Sequence, residues 1–404
     1  MHPRCAALVL LTCAALPAAG PVDPSTLEGK VLFGYQGWFD CPGPGGNPNN
    51  WSHWSRGIPR PDTLVIDMYP DLSEFAPADL CAIPGMSISG KPAYLFSART
   101  PRIVLRHFEW MREYGLDGVL AVLRNVMAAA AATGRVFAIE YDISGGREDT
   151  LARQLRDDWI YLVDTVKVTA HPNYLHHNGK PVLSVWGMGL GDGKHPPASP
   201  EAAAQIVRWF RSGAEPRYRV VYIGGTPSRW RTRTADAAPD PAWSDVYRMM
   251  DVVQPWTVGR YRNAEQADAW RASQLEPDLA ELRAHGQLYM PVIFPGFSWH
   301  NLNRDAAENQ IPRNRGEFLW RQAVNARAAG ATLLKIAMFD EVNESTAMFK
   351  LAPRRADAPD EGFWLTLDAD GTTLPADWYL RLAGEITRAF HAGRALPPRL
   401  PRYP

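Results

Sequence analysis

Eight short apolar runs that alternate with stretches of helical periodicity constrain the fold of this chain more than any other feature. The runs are 31–36, 117–123, 136–141, 181–186, 219–224, 250–256, 288–294 and 332–338. The candidate helices are 101–114, 125–133, 148–168, 199–212, 241–249, 265–285, 315–329 and 375–392. This alternation is typical of α/β architecture, and eight strand–helix pairs predict a (β/α)8 TIM barrel. The alternative is an open, doubly wound sheet of up to ten strands, although no strand here opens a phosphate-binding glycine turn.

The stretch between the first strand and the first helix predicts a long insertion after strand one. It contains two further extended runs, 63–69 and 93–97, and a segment rich in glycine, proline and asparagine, Cys41 to Asn50, which we expect to form a loop. The predicted divisions are a signal peptide over 1–20, one barrel domain over 21–392, and a proline- and arginine-rich tail over 393–404, which we expect to be disordered.

The first twenty residues have the three parts of an export signal. Arg4 supplies a positive start, Ala6 to Ala15 an apolar stretch, and Leu16 to Gly20 a small-residue cleavage zone. The apolar stretch is too short to span a bilayer. Two alternatives are an N-terminal helix packed on the domain and a lipoprotein anchored at Cys13. We expect the protein to be secreted or periplasmic.

Balanced charge argues against a general electrostatic grip on nucleic acid. The chain has 43 basic and 43 acidic residues, whereas such binding needs a basic excess. No segment after the signal has eighteen uninterrupted apolar residues, so we expect no membrane span.

Cys41 and Cys81 remain in the mature chain; they could pair in an oxidising compartment, and separate buried thiols are equally compatible with the sequence.

Motifs for a cofactor or a tight metal site are missing from the sequence. No CxxC, HExxH or zinc-finger spacing occurs. The glycine-rich run 187–193 follows a strand, but it lacks GxGxxG spacing and leads into Pro196 and Pro197 instead of a helix. A dinucleotide site needs helix N–H groups at that point. We therefore expect no cofactor and no metal.

Carboxyl, amide, guanidinium and aromatic side chains follow the predicted strands, at the end of the barrel where active sites form. The candidate binding residues are Tyr35, Gln36, Trp38, Trp54, Glu140, Trp186, Trp256, Arg260, Trp299 and Asp340. Seven of the 15 tryptophans lie in these post-strand loops. An indole has a flat apolar face and a polar edge, which suits the C–H face and hydroxyl rim of a sugar. Alternatively, these large side chains roof the barrel.

The run 338–346 (MFDEVNEST) is the sharpest chemical signal, because an apolar strand leads directly into three acids within five residues. Hydrolysis of a glycosidic bond needs two carboxyl groups around it. Like charges held close together raise one pKa, which keeps one acid protonated near neutrality. Glu341 and Glu344 are the candidate catalytic pair. A solvated acidic loop is the alternative, and Glu140 could equally form an ion pair with Arg124.

Five segments together resemble the family 99 and family 71 glycoside hydrolases, and the similarity is greatest to secreted bacterial members. They are GYQGWF (34–39), WSHW (51–54), HFEWMREYGLDGV (107–119), FAIEYDISG (137–145) and FDEVNES (339–345). Family 99 carries a strand-eight motif N-E-x-x-E-G-T, which Asp340 to Thr346 matches with Asp for Asn and Ser for Gly. This resemblance implies the barrel fold and hydrolysis of α-linked glycans.

The resemblance also implies residue roles. Glu341 would be the base that removes the 2-hydroxyl proton, so that this oxygen attacks the anomeric carbon and forms a 1,2-anhydro sugar. Glu344 would protonate the leaving oxygen and then activate water, with overall retention. Glu140 matches the family's strand-three glutamate that binds the −1 sugar, with Tyr141 in place of a proline. Tyr35 falls where the family has a −1-site tyrosine, although the local motif differs.

Three functions are therefore compatible with the sequence. The first is a retaining glycosidase acting on an α-mannan or a related α-glycan. The second is a barrel that binds carbohydrate without hydrolysis, which the Asp340 and Ser345 departures would explain. The third is an exo-acting xylosidase or arabinosidase, in which the insertion blocks one end of a cleft. In each case the expected partner is a poly- or oligosaccharide.

Overall fold

The computed structural model describes residues 19–43, 47–121 and 125–400. The predicted signal residues 1–18, with Cys13, lie outside these ranges, as do Arg124 and 401–404. The strands are β1 Val31–Tyr35, β2 Leu80–Ile88, β3 Lys91–Phe96, β4 Gly118–Ala121, β5 Val136–Asp142, β6 His176–His177, β7 Lys180–Trp186, β8 Val221–Pro227, β9 Val252–Trp256, β10 Leu288–Tyr289, β11 Val292–Ile293 and β12 Leu334–Ile336. The helices are α1 Pro101–Glu113, α2 Val126–Thr133, α3 Leu151–Tyr161, α4 Pro200–Arg208, α5 Trp243–Arg248, α6 Ala264–Trp270, α7 Glu276–Ala284, α8 Glu317–Ala329 and α9 Trp378–His391.

The main sheet curls into a (β/α)8 barrel and is parallel except for the short β6, which pairs antiparallel with β7. Its strand order is β10-β9-β8-β7-β5-β4-β1-β12-β11, with β1 paired to both β4 and β12. The seventh barrel strand is split: β10 pairs with β9, and β11 pairs with β12. Pro291 lies at the break and has no N–H to donate to a ladder. Because the two halves belong to one chain segment, they close the ring, and the open doubly wound alternative is excluded.

The barrel strands are buried on both faces, as parallel strands covered by helices must be. All residues of β1, β4 and β8 are buried. Helix starts follow from local sequence: Pro101 begins α1 with its backbone already near helical geometry. The Ser199 side chain accepts a hydrogen bond from the Ala202 amide at 3.1 Å at the start of α4. Within the described ranges, no helix is long and apolar enough to cross a membrane.

The insertion after β1 contains an antiparallel hairpin, β2–β3, which a disulfide between Cys41 and Cys81 ties to the loop after β1. The run 93–97 coincides with β3, but the extended strand expected at 63–69 is wrong. That segment is irregular because Asp67, fully buried, accepts the amides of His300 and Asn301 at 2.7 Å each instead of joining a ladder. These bonds fasten the insertion to the loop after the seventh strand.

Residues 393–400 pack against the domain, where the sequence predicted a disordered tail. The indole N–H of Trp320, on α8, donates to the Pro397 carbonyl at 2.8 Å, and Leu396 is buried. Arg327, about two turns after Trp320 on α8, donates to the Gly393 carbonyl at 2.6 Å. Apolar anchoring by Leu396 therefore outweighs the proline-rich composition over this part of the tail.

Candidate active site

A cavity of about 260 Å³ opens at the carboxyl ends of the barrel strands. It is lined by side chains from the first, second, third, fourth, sixth and eighth barrel strands and the segments that follow them. These are Tyr35, Gln36, Trp38, Leu120, Ala121, Glu140, Asp142, Ser144, Trp186, His195, Trp256, Lys335, Met338, Glu341 and Glu344. The cavity is therefore where a (β/α)8 barrel places its chemistry.

The turn after β12 brings Glu341 and Glu344 into this cavity. Asp340, 1% exposed, accepts the backbone N–H of Gln36 at 2.9 Å and of Gly37 at 2.8 Å, so the turn is fastened to the loop after β1. The Glu341 carbonyl accepts the amides of Thr346 and Ala347 at 3.0 and 2.9 Å. Asp340 is thus a structural anchor beside the cavity and does not line it.

Burial raises the pKa values of the three carboxyl groups in this turn, Asp340, Glu341 and Glu344. Burial, together with the neighbouring Glu344 and Asp340 carboxyls, raises the pKa of Glu341 well above its ordinary value. Burial alone raises the pKa of Glu344 to about 7 and that of Asp340 to about 6. Removing carboxylates from water penalises the charged form. Near neutral pH the pair can therefore both hold and release a proton, as general acid–base chemistry requires.

One carboxyl oxygen of Glu341 is an unpaired acceptor within the described part of the chain. Its Oε1 atom is buried and has no hydrogen-bond partner among the described residues. A hydroxyl donated to this oxygen would stabilise the charged form of Glu341. Such a bond would lower the pKa of Glu341 relative to that of Glu344.

Glu140 faces the pair from β5 and is held by an ion pair that the sequence analysis did not identify. Lys335 Nζ donates to both of its carboxylate oxygens, at 2.7 and 2.8 Å, and Ser184 Oγ donates at 2.8 Å. The sequence analysis considered an ion pair between Glu140 and an arginine; the structure shows an ion pair, and its cation is Lys335. Arg124, the partner considered from the sequence, lies outside the described residues.

Tryptophans form the walls of the cavity. Trp186 and Trp256 pack edge to face with ring centroids 5.5 Å apart. Trp38 stacks on His53 at 4.1 Å, within 3° of parallel. The indole N–H groups of Trp38 and Trp186 are buried and find no acceptor in the described part of the chain. Flat apolar faces beside unpaired N–H donors suit a sugar ring, whose hydroxyls can accept from the indoles.

Three candidate binding residues, Trp54, Arg260 and Trp299, do not line the cavity, and their binding roles stay predictions. Trp54 is fully buried in the core, and its N–H donates to the Phe96 carbonyl at 2.9 Å. Arg260 pairs with Asp236 at 2.9 Å. Trp299 packs on Phe297, with ring centroids 5.3 Å apart. Each follows a strand or loop as predicted, but its side chain points elsewhere.

Tyr35 borders the cavity, but its hydroxyl is engaged with a second residue. It lies 3.0 Å from Nδ1 of His107, a fully buried histidine on α1. Burial lowers the pKa of His107 to about 3, so the ring is neutral. Burial, with a smaller contribution from Asp340, raises the pKa of Tyr35 well above its ordinary value. Gln36, next to Tyr35, also lines the cavity, and its side chain acts to lower the pKa of Glu341 against the larger effect of burial.

Four polar residues of the cavity were not among the predicted site residues: Asp142, Ser144, His195 and Lys335. His195 comes from the glycine-rich loop that was considered only as a dinucleotide site, and it pairs there with Asp192. Lys335 could have been found, because it is a charge within the apolar run 332–338. Within the described ranges no group of three His, Cys, Asp or Glu side chains could hold a metal ion.

The fold and site together define a (β/α)8 barrel with a buried and a partly buried carboxyl group, Glu341 and Glu344, in a tryptophan-walled cavity. Comparison with protein-family models gave no match, and comparison with curated proteins gave none either. Among solved structures, the chain resembles the GH99 endo-α-mannosidase from Bacteroides thetaiotaomicron, with a TM-score of 0.66 and 17% identity over 92% of this chain and 100% of that one. A structure of that enzyme with bis-tris propane matches with a TM-score of 0.64 and 17% identity, over 91% of this chain and 99% of that chain. At this identity the likeness establishes a shared fold.

Proposed function

We propose that this protein is a retaining glycoside hydrolase that cleaves α-linked, α-mannan-like glycans, with Glu341 as base and Glu344 as general acid/base. The observation that carries the proposal is the convergence of both carboxyls on one cavity with Glu140 and two tryptophan walls. Paired carboxyls around a bound sugar are the requirement of glycosidic hydrolysis. The shared fold with an endo-α-mannosidase supports the same reading.

The proposed reaction has two steps. Glu341 removes the proton from the 2-hydroxyl, and that oxygen displaces the leaving group at the anomeric carbon while Glu344 protonates the departing oxygen. In the second step Glu344 takes a proton from water, which opens the 1,2-anhydro sugar and restores the original configuration as Glu341 returns its proton to the 2-oxygen. The pKa of Glu344, raised by burial to about 7, supports both of its roles.

The charges around the cavity support an uncharged substrate. Four lining side chains are carboxyls: Glu140, Asp142, Glu341 and Glu344. Lys335, the lysine of the lining, is committed to Glu140. An anionic sugar would find no unpaired lysine or arginine among the described lining residues, whereas neutral hydroxyls can donate to the carboxyl oxygens. This favours a neutral glycan, such as an α-mannan, over a polyuronide.

We propose in addition that the protein is exported. The N-terminal sequence 1–20 has the pattern of a secretory signal. The disulfide between Cys41 and Cys81 agrees with folding in an oxidising compartment, because such bonds persist mainly outside the cytosol. Mass spectrometry of the N-terminus of the protein recovered from its native host tests this. Cleavage near Gly20 supports export, whereas an intact N-terminus in the cytosol contradicts it.

Product analysis on α-mannans, α-glucans and arabinoxylans tests the proposed reaction. We expect release of oligosaccharides from α-mannan, with the α-configuration seen first by proton NMR. Glu341→Gln and Glu344→Gln should each lower kcat by at least about a thousandfold without loss of folding, since each removes an essential proton carrier. Release of monosaccharide alone from arabinoxylan would favour an exo-acting pentosidase. Glycan binding without any product would favour a non-hydrolytic barrel.

A further inference from the structure

Lys335 is a buried lysine at the floor of the cavity. It is the middle residue of β12 and only 1% exposed. Its aliphatic stem lies beside Gly34 on the neighbouring strand, where a side chain larger than hydrogen would collide with Met338. A buried ammonium is costly unless all of its protons have partners. Its retention inside an otherwise apolar strand therefore needs a reason.

The ammonium group of Lys335 is committed to the side chains that surround it. It donates to Glu140 Oε1 at 2.7 Å, to Glu140 Oε2 at 2.8 Å and to Gln254 Oε1 at 3.1 Å. These acceptors come from β5 and β9, so Lys335 bridges the barrel interior across three strands. Ser184 Oγ on β7 adds a hydrogen bond to Glu140 Oε1 at 2.8 Å. The Glu140 carboxylate is thus fixed from two sides.

The arrangement leaves Glu140 with acceptor capacity on one oxygen. An ionised carboxylate offers about four lone-pair sites, two on each oxygen. Among the described residues, Oε1 accepts from Lys335 and Ser184, whereas Oε2 accepts from Lys335 alone. The same Lys335 Nζ lies 5.6 Å from the centroid of Trp256, a wall of the cavity. One cation therefore aligns both an acceptor and an aromatic wall.

We infer that Lys335 is a positioning residue for the sugar at the cavity floor: it holds the Glu140 carboxyl group in an orientation in which Oε2 accepts a hydrogen bond from a hydroxyl of a neutral sugar. The inference rests on the proposed function, because Glu140 is the group that would touch the glycan. Lys335 itself acts through Glu140. A merely structural ion pair would hold the barrel together without affecting how substrate binds.

A double-mutant cycle between Lys335 and Glu140 separates these two roles. The variants are Lys335→Met, Glu140→Gln and the double variant, assayed for kcat/KM on an α-mannan oligosaccharide. We expect Lys335→Met to lower kcat/KM by about 30- to 100-fold in the native background, with most of the change in KM. In the Glu140→Gln background the same change should cost less than about threefold. Equal losses in both backgrounds, or no loss at all, would overturn the inference.

Removal of the lysine alone leaves a buried carboxylate without its cation, and that variant could fail to fold. The double variant carries no unpaired charge and is compared directly with Glu140→Gln. If kcat/KM of the double variant is within about threefold of that of Glu140→Gln, the inference is supported. A larger loss in the double variant contradicts it. Lys350→Met is the matched control: Lys350 is also mostly buried and pairs with Glu74 in the insertion, away from the cavity. It should lower thermal stability and leave kcat/KM unchanged.

Calorimetry with the same oligosaccharide keeps the two proposals apart. If the wild type binds the oligosaccharide without cleaving it, the proposed hydrolysis fails, and the cycle is read from Kd. A Kd that weakens about 30-fold in Lys335→Met but not in the Glu140→Gln background would then still support the role of Lys335. A wild type that neither binds nor cleaves it would overturn both proposals.

Discussion

At the scale of single residues, Glu344 is the side chain whose proton decides the proposed chemistry. Burial raises its pKa to about 7. A general acid must be protonated in the free enzyme, so we expect kcat/KM on an α-mannan oligosaccharide to fall about tenfold for each pH unit above about 7. A pH–rate profile from pH 5 to 9 measures this. The residual activity of Glu344→Gln should not show this fall at high pH. A wild-type kcat/KM that does not change up to pH 9 would contradict the assignment.

The same raised pKa predicts a stability effect. A folded-state pKa of about 7, above the ordinary 4.5, means that the native state binds more protons than the unfolded state between these values. The stabilisation from this group is therefore complete below about pH 4.5 and is lost as the pH rises through 7. Glu344→Gln removes the ionisation, so we expect its unfolding free energy to exceed that of the wild type by about 1–3 kcal/mol at pH 8.

Denaturant unfolding of both proteins at pH 5 and pH 8 checks that expectation. The difference between Glu344→Gln and the wild type should be larger at pH 8 than at pH 5, since only then is the buried carboxyl ionised. A difference that is the same at both pH values would mean that Glu344 is not held in its neutral form by burial. The comparison needs no substrate and so stands apart from the activity measurements.

Sequence reasoning could locate the central acids but not every side chain around them. Glu140, Glu341 and Glu344 follow apolar strands directly, and strand ends of a barrel meet on one side; their catalytic and binding roles stay predictions. Trp54 and Arg260 follow strands too, but longer loops let their side chains turn into the core or toward Asp236. The direction of a side chain in an irregular loop depends on tertiary packing, which has no signature in sequence spacing.

At the scale of elements, the turn after β12 depends on Arg313. This buried arginine donates through one terminal nitrogen to the carbonyls of Ser345 and Ala347, at 2.8 and 2.7 Å, and its guanidinium lies 4.5 Å from the Tyr379 ring. Ser345 has a positive φ of 55°, which side chains larger than glycine adopt at a cost. The arginine therefore stabilises the conformation that aims Glu344 into the cavity.

We expect Arg313→Met to lower kcat/KM by about 10- to 100-fold, because displacement of a catalytic group by about 1 Å can cost that much. The assay is hydrolysis of the α-mannan oligosaccharide, combined with circular dichroism to verify folding. Arg388→Met, which removes a surface arginine paired with Glu385 on α9, is the matched control and should retain wild-type activity. A folded Arg313→Met with full activity would show that the turn keeps its shape without the arginine.

Among the elements, the barrel strands and helices could be predicted and two details could not. Apolar runs bounded by helical periodicity identify each strand, and the observed bounds differ from the predicted ones mainly at the ends. The break between β10 and β11 arises at Pro291, where a missing N–H interrupts a strand that still reads as apolar. The β2 strand was missed because its residues alternate irregularly, with Pro84 and Gly85 at its centre.

At the scale of the whole molecule, the disulfide joins the insertion to the barrel. Cys41 and Cys81 are 40 residues apart, and a cross-link across a loop of that length is worth about 3–4 kcal/mol by restricting the unfolded chain. We expect Cys81→Ser to lower the unfolding free energy by that amount in denaturant titrations. Reducing agent should have the same effect on the wild type and none on the variant. An unchanged midpoint in both experiments would mean that the bond does not stabilise the domain by restricting the unfolded chain.

The central claim is that Glu341 and Glu344 act on a sugar bound in the cavity that Trp186 and Trp256 help to line. The most direct measurement is a crystal structure of Glu344→Gln with an α-mannan oligosaccharide. We predict a 2-hydroxyl within hydrogen-bond distance of Glu341 Oε1 and a glycosidic oxygen within hydrogen-bond distance of the residue-344 amide. An oligosaccharide bound at another surface, with the cavity holding only solvent, would contradict the account.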